Sequence, residues 1–156
     1  MRKKNVLISP ILKWVGGKRQ LLKEIKGLIP KQITTYVEPF IGGGALFFDL
    51  QPNKAIINDY NEELINVYRV VKEDPEKLII ILEEHHKLNS EDYFYKIRAM
   101  DRNDNYRDMS YIEKAARIIY LNKTCYNGLF RVNQAGQFNT PYGKYKNPNI
   151  INRPTI

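Results

Sequence analysis

The sequence contains a single cysteine, Cys125, among its 156 residues. An intramolecular disulfide and a Cys-x-x-Cys zinc knuckle are therefore excluded, and no metal site is expected. Long apolar runs are also missing, because the longest, Leu78 to Leu82, is far too short to span a bilayer. The N-terminal segment MRKKNVLISP lacks the extended apolar stretch and the cleavage site of a signal peptide. These absences predict a cytoplasmic protein with no membrane partner.

Acidic residues are missing from the C-terminal part of the sequence. The chain carries 25 Lys and Arg against 17 Asp and Glu, a formal net charge of +8. From residue 121 onward it has Lys and Arg but no Asp or Glu, with aromatic residues interleaved. A positive net charge alone is also compatible with simple solubility. A basic segment with interleaved aromatics, however, favours a polyanionic partner and is typical of a nucleic-acid-binding face.

The N-terminal part of the sequence predicts the opening unit of an α/β fold. Residues 36–38 are a short strand candidate, glycines follow at 42–44, residues 45–50 predict a helix, and residues 54–59 predict a second, buried strand. Strand, glycine turn, helix and strand in this order begin a doubly wound α/β sheet. Upstream, an apolar stripe at helical spacing predicts a helix over residues 18–29.

Four successive helices, without an intervening strand, are predicted after this unit. Apolar spacing and capping signals place them at about residues 64–71, 75–88, 91 onward and 110–123. Asp74 and Ser90 are N-cap candidates, and Ser110 with Glu113 forms a capping box. We expect the helical histidines and the acidic residues between 101 and 108 to be solvated. Glycines and a proline in residues 124–146 indicate a long ordered loop or hairpin that carries function.

The glycines between the first strand and its helix indicate a ligand site. Such a loop lets the backbone approach a ligand closely, although glycine turns also occur for packing alone. The next strand ends at Asp59, whose carboxylate can accept hydrogen bonds from both ribose hydroxyls of an adenosine-containing cofactor. Phe47 occupies the position of the third glycine of a dinucleotide fingerprint, and no Walker sequence follows. The pattern favours an adenosine ligand without a pyrophosphate, of which S-adenosylmethionine is the obvious example.

A second glycine motif, LKWVGGKRQLL at residues 12–22, supports this interpretation. Lys18 and Arg19 follow its glycines in the first turn of the predicted helix. Cations there oppose the helix dipole at a cost of about 0.3 to 1 kcal/mol if exposed. They are better explained as partners of an anion such as the methionine carboxylate, with a solvated basic turn as the alternative. Trp14 either covers the ligand or fills the core.

These motifs resemble those of the Dam-like DNA adenine-N6 methyltransferases, and most closely those of the DpnII type, which methylate the adenine of GATC. The resemblance covers nearly the whole chain and rests on KWVGGKRQLL, EPFIGGGALFF, INDYN and LNKTCYNGLFRVNQAGQFNTPYGKYKNP, in this order. It implies a partial Rossmann-like, S-adenosylmethionine-dependent methyltransferase core with a helical target-recognition insertion. The implied units are the N-terminal part of the core (1–62), the recognition domain (63–147) with its reading loop (124–146), and the start of a return to the core (148–156).

The resemblance also implies site residues. Cofactor contacts would come from Trp14, Lys18 and Asp59, and the pocket floor from Glu38, Pro39 and Gly42. In the reading loop, Arg131 would contact the O6/N7 edge of guanine. The other implied DNA contacts are Tyr126 and Asn127 beside the target base pair, Leu129 and Pro141 in the groove, and Lys144 and Lys146 on phosphates. The alternatives are core packing for Tyr126 and Leu129, and a solvated charge for Arg131.

The sequence contains no Asp-Pro-Pro-Tyr, the motif with which members of that family hold the adenine amino group and stack on the flipped base. We reject the nearest string, Asn139-Thr-Pro-Tyr142, as catalytic, because it lacks the first proline and lies inside the reading loop. No catalytic residue is assigned, and the chain is expected to be the N-terminal part of a methyltransferase. The alternative is a non-catalytic, sequence-specific DNA-binding module. The expected partners are double-stranded DNA and either a second polypeptide with the catalytic half or a second copy of the chain.

Overall fold

A computed structural model describes Asn5, residues 8–16 and residues 18–156, without the side chains of residues 18 and 19. Its α-helices and strands are α1 (Leu22–Leu28), β1 (Tyr36–Glu38), α2 (Ala45–Leu50), β2 (Ala55–Ile57), α3 (Glu62–Glu73), α4 (Pro75–Leu88), α5 (Glu91–Arg98) and α6 (Tyr111–Thr124). Short 3₁₀ turns occupy Lys18–Leu21, Ala99–Arg102, Asp104–Asp108 and Tyr126–Gly128. The chain is therefore a mixed α/β structure, as the sequence predicts.

The sheet consists of β1 and β2, which run parallel and are connected through α2. Tyr36 lies on one face, where its ring centroid is 6.4 Å from that of Phe47 in α2. On the other face, Val37 and Ile56 pair in the middle of the strands and are 60% and 58% exposed. The expectation that the second strand is buried is therefore wrong. An apolar run produces a buried strand only where another element covers it, and here α2 packs on the opposite face.

The hydrophobic core lies among the helices. Helix α6 packs against α3, α4 and α5, and residues 115–122 of α6 are all buried. The four predicted helices are confirmed as α3 to α6. The Ser110–Glu113 capping box is present at the start of α6, and Ser90 caps α5 by accepting a hydrogen bond from the Tyr93 N–H. Asp74 occupies the N-cap position of α4 with Pro75 in the first turn, as predicted, but its side chain makes no capping hydrogen bond to the described residues.

Helix α1 is shorter than predicted, because a 3₁₀ turn takes the place of its first residues. Its Leu28 is 86% exposed, so the apolar stripe of this segment does not enter the core. None of the helices in the described part of the chain is long and apolar enough to cross a membrane. The described residues also include no group of three or more His, Cys, Asp or Glu side chains arranged to hold a metal ion.

Two side chains expected on the solvated surface are enclosed by partners: His85 is buried and Asp101 is partly buried. His85 is 8% exposed, with its Nδ1 2.8 Å from the Tyr93 hydroxyl and its ring stacked on Tyr120. Asp101 pairs with Arg117, a guanidinium that is itself only 1% exposed. The expectation that these two residues are solvated is therefore wrong. A polar side chain can be enclosed when an element far away in the sequence supplies a partner for it.

Candidate cofactor and DNA-binding site

The glycine loop after β1 needs glycine for two reasons. Gly42 and Gly44 have positive φ angles of 52° and 71°, a region that other residues rarely adopt. In addition, a Cβ atom on Gly44 would lie 2.8 Å from both Phe48 Cε2 and the Tyr68 hydroxyl. The loop is therefore shaped by close packing against α2 and α3 as well as by its path away from the strand.

Asp59 lies directly beside this loop, as the sequence predicts. Its Oδ2 accepts a hydrogen bond from the Gly42 N–H at 2.9 Å, and its Oδ1 accepts one from the Asn61 N–H at 3.1 Å. The Tyr68 hydroxyl donates to the Gly42 carbonyl at 2.8 Å. Because each carboxylate oxygen can accept two hydrogen bonds, Asp59 keeps acceptor capacity for a ligand.

The two tyrosines near the loop are held in their protonated form. Burial, together with the charges of Glu38 and Asp59, raises the pKa of Tyr68. Burial and the hydrogen bond to Glu38 raise the pKa of Tyr36, whose hydroxyl donates to Glu38 Oε2 at 2.6 Å. Both hydroxyls therefore remain donors at neutral pH. Glu38 is buried and takes part in this support, whereas Pro39 is exposed at the start of the loop.

A cavity of about 310 Å³ opens beside the loop and is lined by Trp14, Val15, Gly16, Phe40, Ile41, Gly42, Gly43, Ala45 and Asp59. It brings together three of the predicted cofactor residues: Trp14, Gly42 and Asp59. Its size is at the lower end of the range for small-molecule sites, roughly 300 to 1,000 Å³. Glu38 and Pro39 are not among the lining residues, and the Lys18 side chain lies outside the described part of the structure.

The reading loop is an ordered antiparallel hairpin. Isolated bridges join Cys125 to Tyr142 and Val132 to Phe138. Asn127 adopts a left-handed conformation with φ 54°, and its N–H donates to the Tyr145 hydroxyl at 3.1 Å. All seven predicted DNA contacts are exposed: Tyr126, Asn127, Leu129, Arg131, Pro141, Lys144 and Lys146. Core packing is therefore not the role of Tyr126 or Leu129 in the described structure.

Asn122 connects the segment around Lys13, which belongs to the second glycine motif, to the reading loop. The sequence analysis did not identify this residue. Its Oδ1 accepts from the Lys13 N–H, and its Nδ2 donates to the carbonyls of Lys13 and Gly128, each at 2.9 Å. Next to this junction, Trp14 stacks on Phe130 with ring centroids 4.8 Å apart. Trp14 is partly buried, lines the cavity and also packs against the loop. The only sequence signal for Asn122 is its position in the last turn of the predicted helix, two residues before the loop.

A second set of contacts fixes the far strand of the hairpin to the helices. The Phe138 N–H donates to Asp101 Oδ2 at 2.7 Å, and Arg102 Nη2 donates to the Phe138 carbonyl at 2.8 Å. Arg117 Nη2 lies 2.7 Å from the same Asp101 oxygen. The hairpin is therefore held at both of its strands.

The chain belongs to the D12 class of N6 adenine-specific DNA methyltransferases, whose family model matches residues 14–156. This confirms the resemblance seen in the motifs. A type II methyltransferase of Lactococcus lactis subsp. cremoris is 50% identical over 100% of this chain and 55% of its own length. One from Methanocaldococcus jannaschii is 46% identical over 96% and 57%. The DNA adenine methylase of Escherichia coli K12 is 35% identical over 88% and 48%. The chain spans about half the length of the curated relatives it matches.

Proposed function

We propose that this chain forms the cofactor-binding and DNA-recognition part of a DNA adenine-N6 methyltransferase that uses S-adenosylmethionine. The observation that carries the proposal is the position of Trp14. It lines the cavity that contains Gly42 and Asp59, and it stacks on Phe130 of the reading loop. A ligand in the cavity and a duplex on the loop would therefore be neighbours. Membership of the adenine-N6 family supports the reaction class.

The cofactor assignment is supported by the chemistry of the cavity. Asp59 offers carboxylate oxygens for the two ribose hydroxyls, and the glycines allow the backbone to approach the ligand closely. Trp14 supplies an apolar wall, and Glu38 and Pro39 are proposed to shape the floor of the pocket from the start of the loop. Lys18 is proposed to pair with the methionine carboxylate. When bound, S-adenosylmethionine supplies a methyl group activated by its sulfonium, and this chain binds and orients that donor.

The DNA assignment is supported by the charge and exposure of the reading loop. We propose GATC as the site, with Arg131 contacting guanine and with Tyr126 and Asn127 beside the target base pair. Leu129 and Pro141 would make apolar contacts in the groove, and Lys144 and Lys146 would neutralise phosphates. Only the first of these contacts carries bidentate sequence information, since phosphate contacts contribute affinity without specificity.

Calorimetric titration of the purified chain with S-adenosylmethionine tests the cofactor site. We expect Asp59→Ala to weaken binding at least about 10- to 100-fold, because it removes a charged acceptor, and even one hydrogen bond to such a group is worth roughly 1.5 to 3 kcal/mol. Asp104→Ala, at an exposed position far along the chain, is the matched control and should leave affinity unchanged. Equal affinities for the wild type and Asp59→Ala would contradict the assignment of the cavity.

Fluorescence anisotropy with short duplexes tests the reading loop. Arg131→Ala should reduce the preference for GATC over a duplex with a substituted guanine by about 5- to 150-fold. Lys144→Ala and Lys146→Ala should instead weaken binding to all duplexes and lower the salt slope by about 0.9 each. Lys54→Ala, which removes an exposed positive charge beside β2, is the control for net charge. If Arg131→Ala instead weakens binding to all duplexes equally, Arg131 contacts phosphates rather than guanine.

Transfer of a labelled methyl group to GATC duplex tests the reaction itself. We expect no incorporation by the 156-residue chain alone, because its sequence contains no Asp-Pro-Pro-Tyr. We propose that a second polypeptide with this motif restores incorporation when it is added. Incorporation by the chain alone that disappears with Arg131→Ala would show that residues within the chain hold the adenine amino group.

A further inference from the structure

Arg131 and Asn139 face each other across the hairpin, eight residues apart. The Asn139 N–H donates to the Arg131 carbonyl at 2.9 Å, so the two residues form a cross-strand pair. Their side chains are also connected, because Arg131 Nε donates to Asn139 Oδ1 at 2.7 Å and Arg131 Nη2 donates to the Asn139 carbonyl at 3.3 Å. Asn139 thus holds one edge of the Arg131 guanidinium with two acceptors.

Within the described part of the chain, the remaining guanidinium donors of Arg131 make no hydrogen bond and can face a ligand. A guanidinium has five N–H groups in a fixed planar fork, and a bidentate contact to guanine uses two of them. Asn139 accepts from Nε and from one Nη2 N–H, which leaves the outer fork formed by Nη1 and Nη2. Since the guanidinium is planar, fixing one edge also fixes the direction of the opposite edge.

Asn139 itself is held firmly, because the helices bind the backbone on both sides of it. On one side, Phe138 is bonded through its N–H to Asp101 and through its carbonyl to Arg102. On the other side, the Thr140 carbonyl accepts from Arg98 Nη1 at 3.3 Å. Thr140 is also bonded to the near strand, since its hydroxyl donates to the Leu129 carbonyl at 2.7 Å. The acceptor that orients Arg131 is therefore attached to the helical core rather than to a mobile loop.

We propose that Asn139 is a positioning residue for sequence recognition, which fixes the guanidinium plane of Arg131 before DNA binds. This rests on the proposed function, in which Arg131 contacts guanine. A long side chain that is already ordered loses less conformational freedom on binding. Asn139, which belongs to the Asn139-Thr-Pro-Tyr142 string, thus acts through Arg131 and has no part in the chemistry.

The test compares two GATC duplexes that differ only in guanine or 7-deazaguanine, which lacks the N7 acceptor. The readout is the dissociation constant for the 7-deazaguanine duplex divided by that for the guanine duplex, measured with the full chain. Asn139→Ala should lower this ratio about 2- to 10-fold, the cost of ordering one long side chain. Asn139→Asp keeps the Oδ1 acceptor and should preserve the ratio, although its added charge weakens binding to both duplexes. Gln134→Ala, at an exposed position near the tip of the same hairpin, should change neither value.

Arg131→Ala separates failure of this inference from failure of the proposed function. If Arg131→Ala leaves the ratio unchanged, Arg131 does not contact N7. Both the proposed contact with guanine and the positioning role of Asn139 are then refuted. If Arg131→Ala lowers the ratio to about 1 while Asn139→Ala leaves it unchanged, only the positioning role of Asn139 is overturned. NMR of the Arg131 Nε–H group in the free chain gives a second readout that needs no DNA. We expect this signal to lose its protection from exchange in Asn139→Ala and to keep it in Asn139→Asp, and equal protection in both variants would overturn the inference.

Discussion

Replacing Asn122 with alanine should destabilise the chain strongly, although its side chain bonds to Lys13 and Gly128, neither of which is a proposed cofactor or base contact. The side chain is 2% exposed and makes three hydrogen bonds of 2.9 Å, two to Lys13 and one to Gly128. Each such bond contributes about 1 kcal/mol net, and stranding a buried partner costs roughly 1 to 3 kcal/mol. We therefore expect a loss of about 3 kcal/mol in the free energy of unfolding. For a chain of this size that corresponds to about 6 to 12 °C in Tm.

Urea unfolding followed by far-UV circular dichroism and by Trp14 fluorescence measures this loss. Trp14 is the sole tryptophan of the chain, and it lies beside the junction, so its signal reports the local geometry. Asn149→Ala, at an exposed position, is the matched control and should change stability by less than about 0.5 kcal/mol. Asn122→Asp should be worse than alanine, because it presents a buried carboxylate to two carbonyl oxygens. A loss below about 1 kcal/mol in Asn122→Ala would refute the reasoning.

Two further substitutions test the packing of the glycine loop and the helical core. Gly44→Ala should cost about 2 to 4 kcal/mol in urea unfolding, because the new Cβ meets atoms at 2.8 Å at a positive φ. Gly27→Ala, with no heavy atom within 4 Å of its Cβ, should be neutral or stabilising by up to about 1 kcal/mol. Burial lowers the pKa of His85 from 6.5 to about 4, so between these values the unfolded chain binds a proton that the folded chain does not. Stability should therefore fall by up to about 3 kcal/mol as the pH drops from 6.5 to 4, a dependence that His85→Gln removes and His86→Gln retains.

Local sequence signals predicted the elements that depend on local forces. The capping box at Ser110 and the apolar spacing of the four helices are properties of a few neighbouring residues, and α3 to α6 form where the spacing predicts them. The contact between Asp59 and Gly42 was also predictable, because two parallel strands bring their carboxyl ends to one edge of a sheet. Predicting these features requires only the spacing of apolar residues, the chemistry of caps and turns, and the direction in which a strand runs.

The remaining features depend on partners that are far away in the sequence. Asp101 looks like an exposed acid until Arg117 and the hairpin backbone are brought to it, and His85 looks solvated until Tyr93 and Tyr120 enclose it. Burial of an apolar strand is equally non-local, as Ile56 shows by remaining exposed. Such outcomes are set by the tertiary packing of helices, which no pattern within one segment encodes.

The position of Asn122 has a consequence for how the two proposed sites act together. The residues of the junction come from three separated segments, represented by Lys13, Asn122 and Gly128, and meet at the end of α6. The stacked pair Trp14 and Phe130 lies next to them, with one ring lining the cavity and the other in the reading loop. A ligand that contacts the first ring therefore contacts a side chain that is stacked directly on the second. By thermodynamic reciprocity, any gain in DNA affinity produced by the cofactor must equal the gain in cofactor affinity produced by DNA. The junction thus places the proposed donor site and the proposed reading loop in one packed unit.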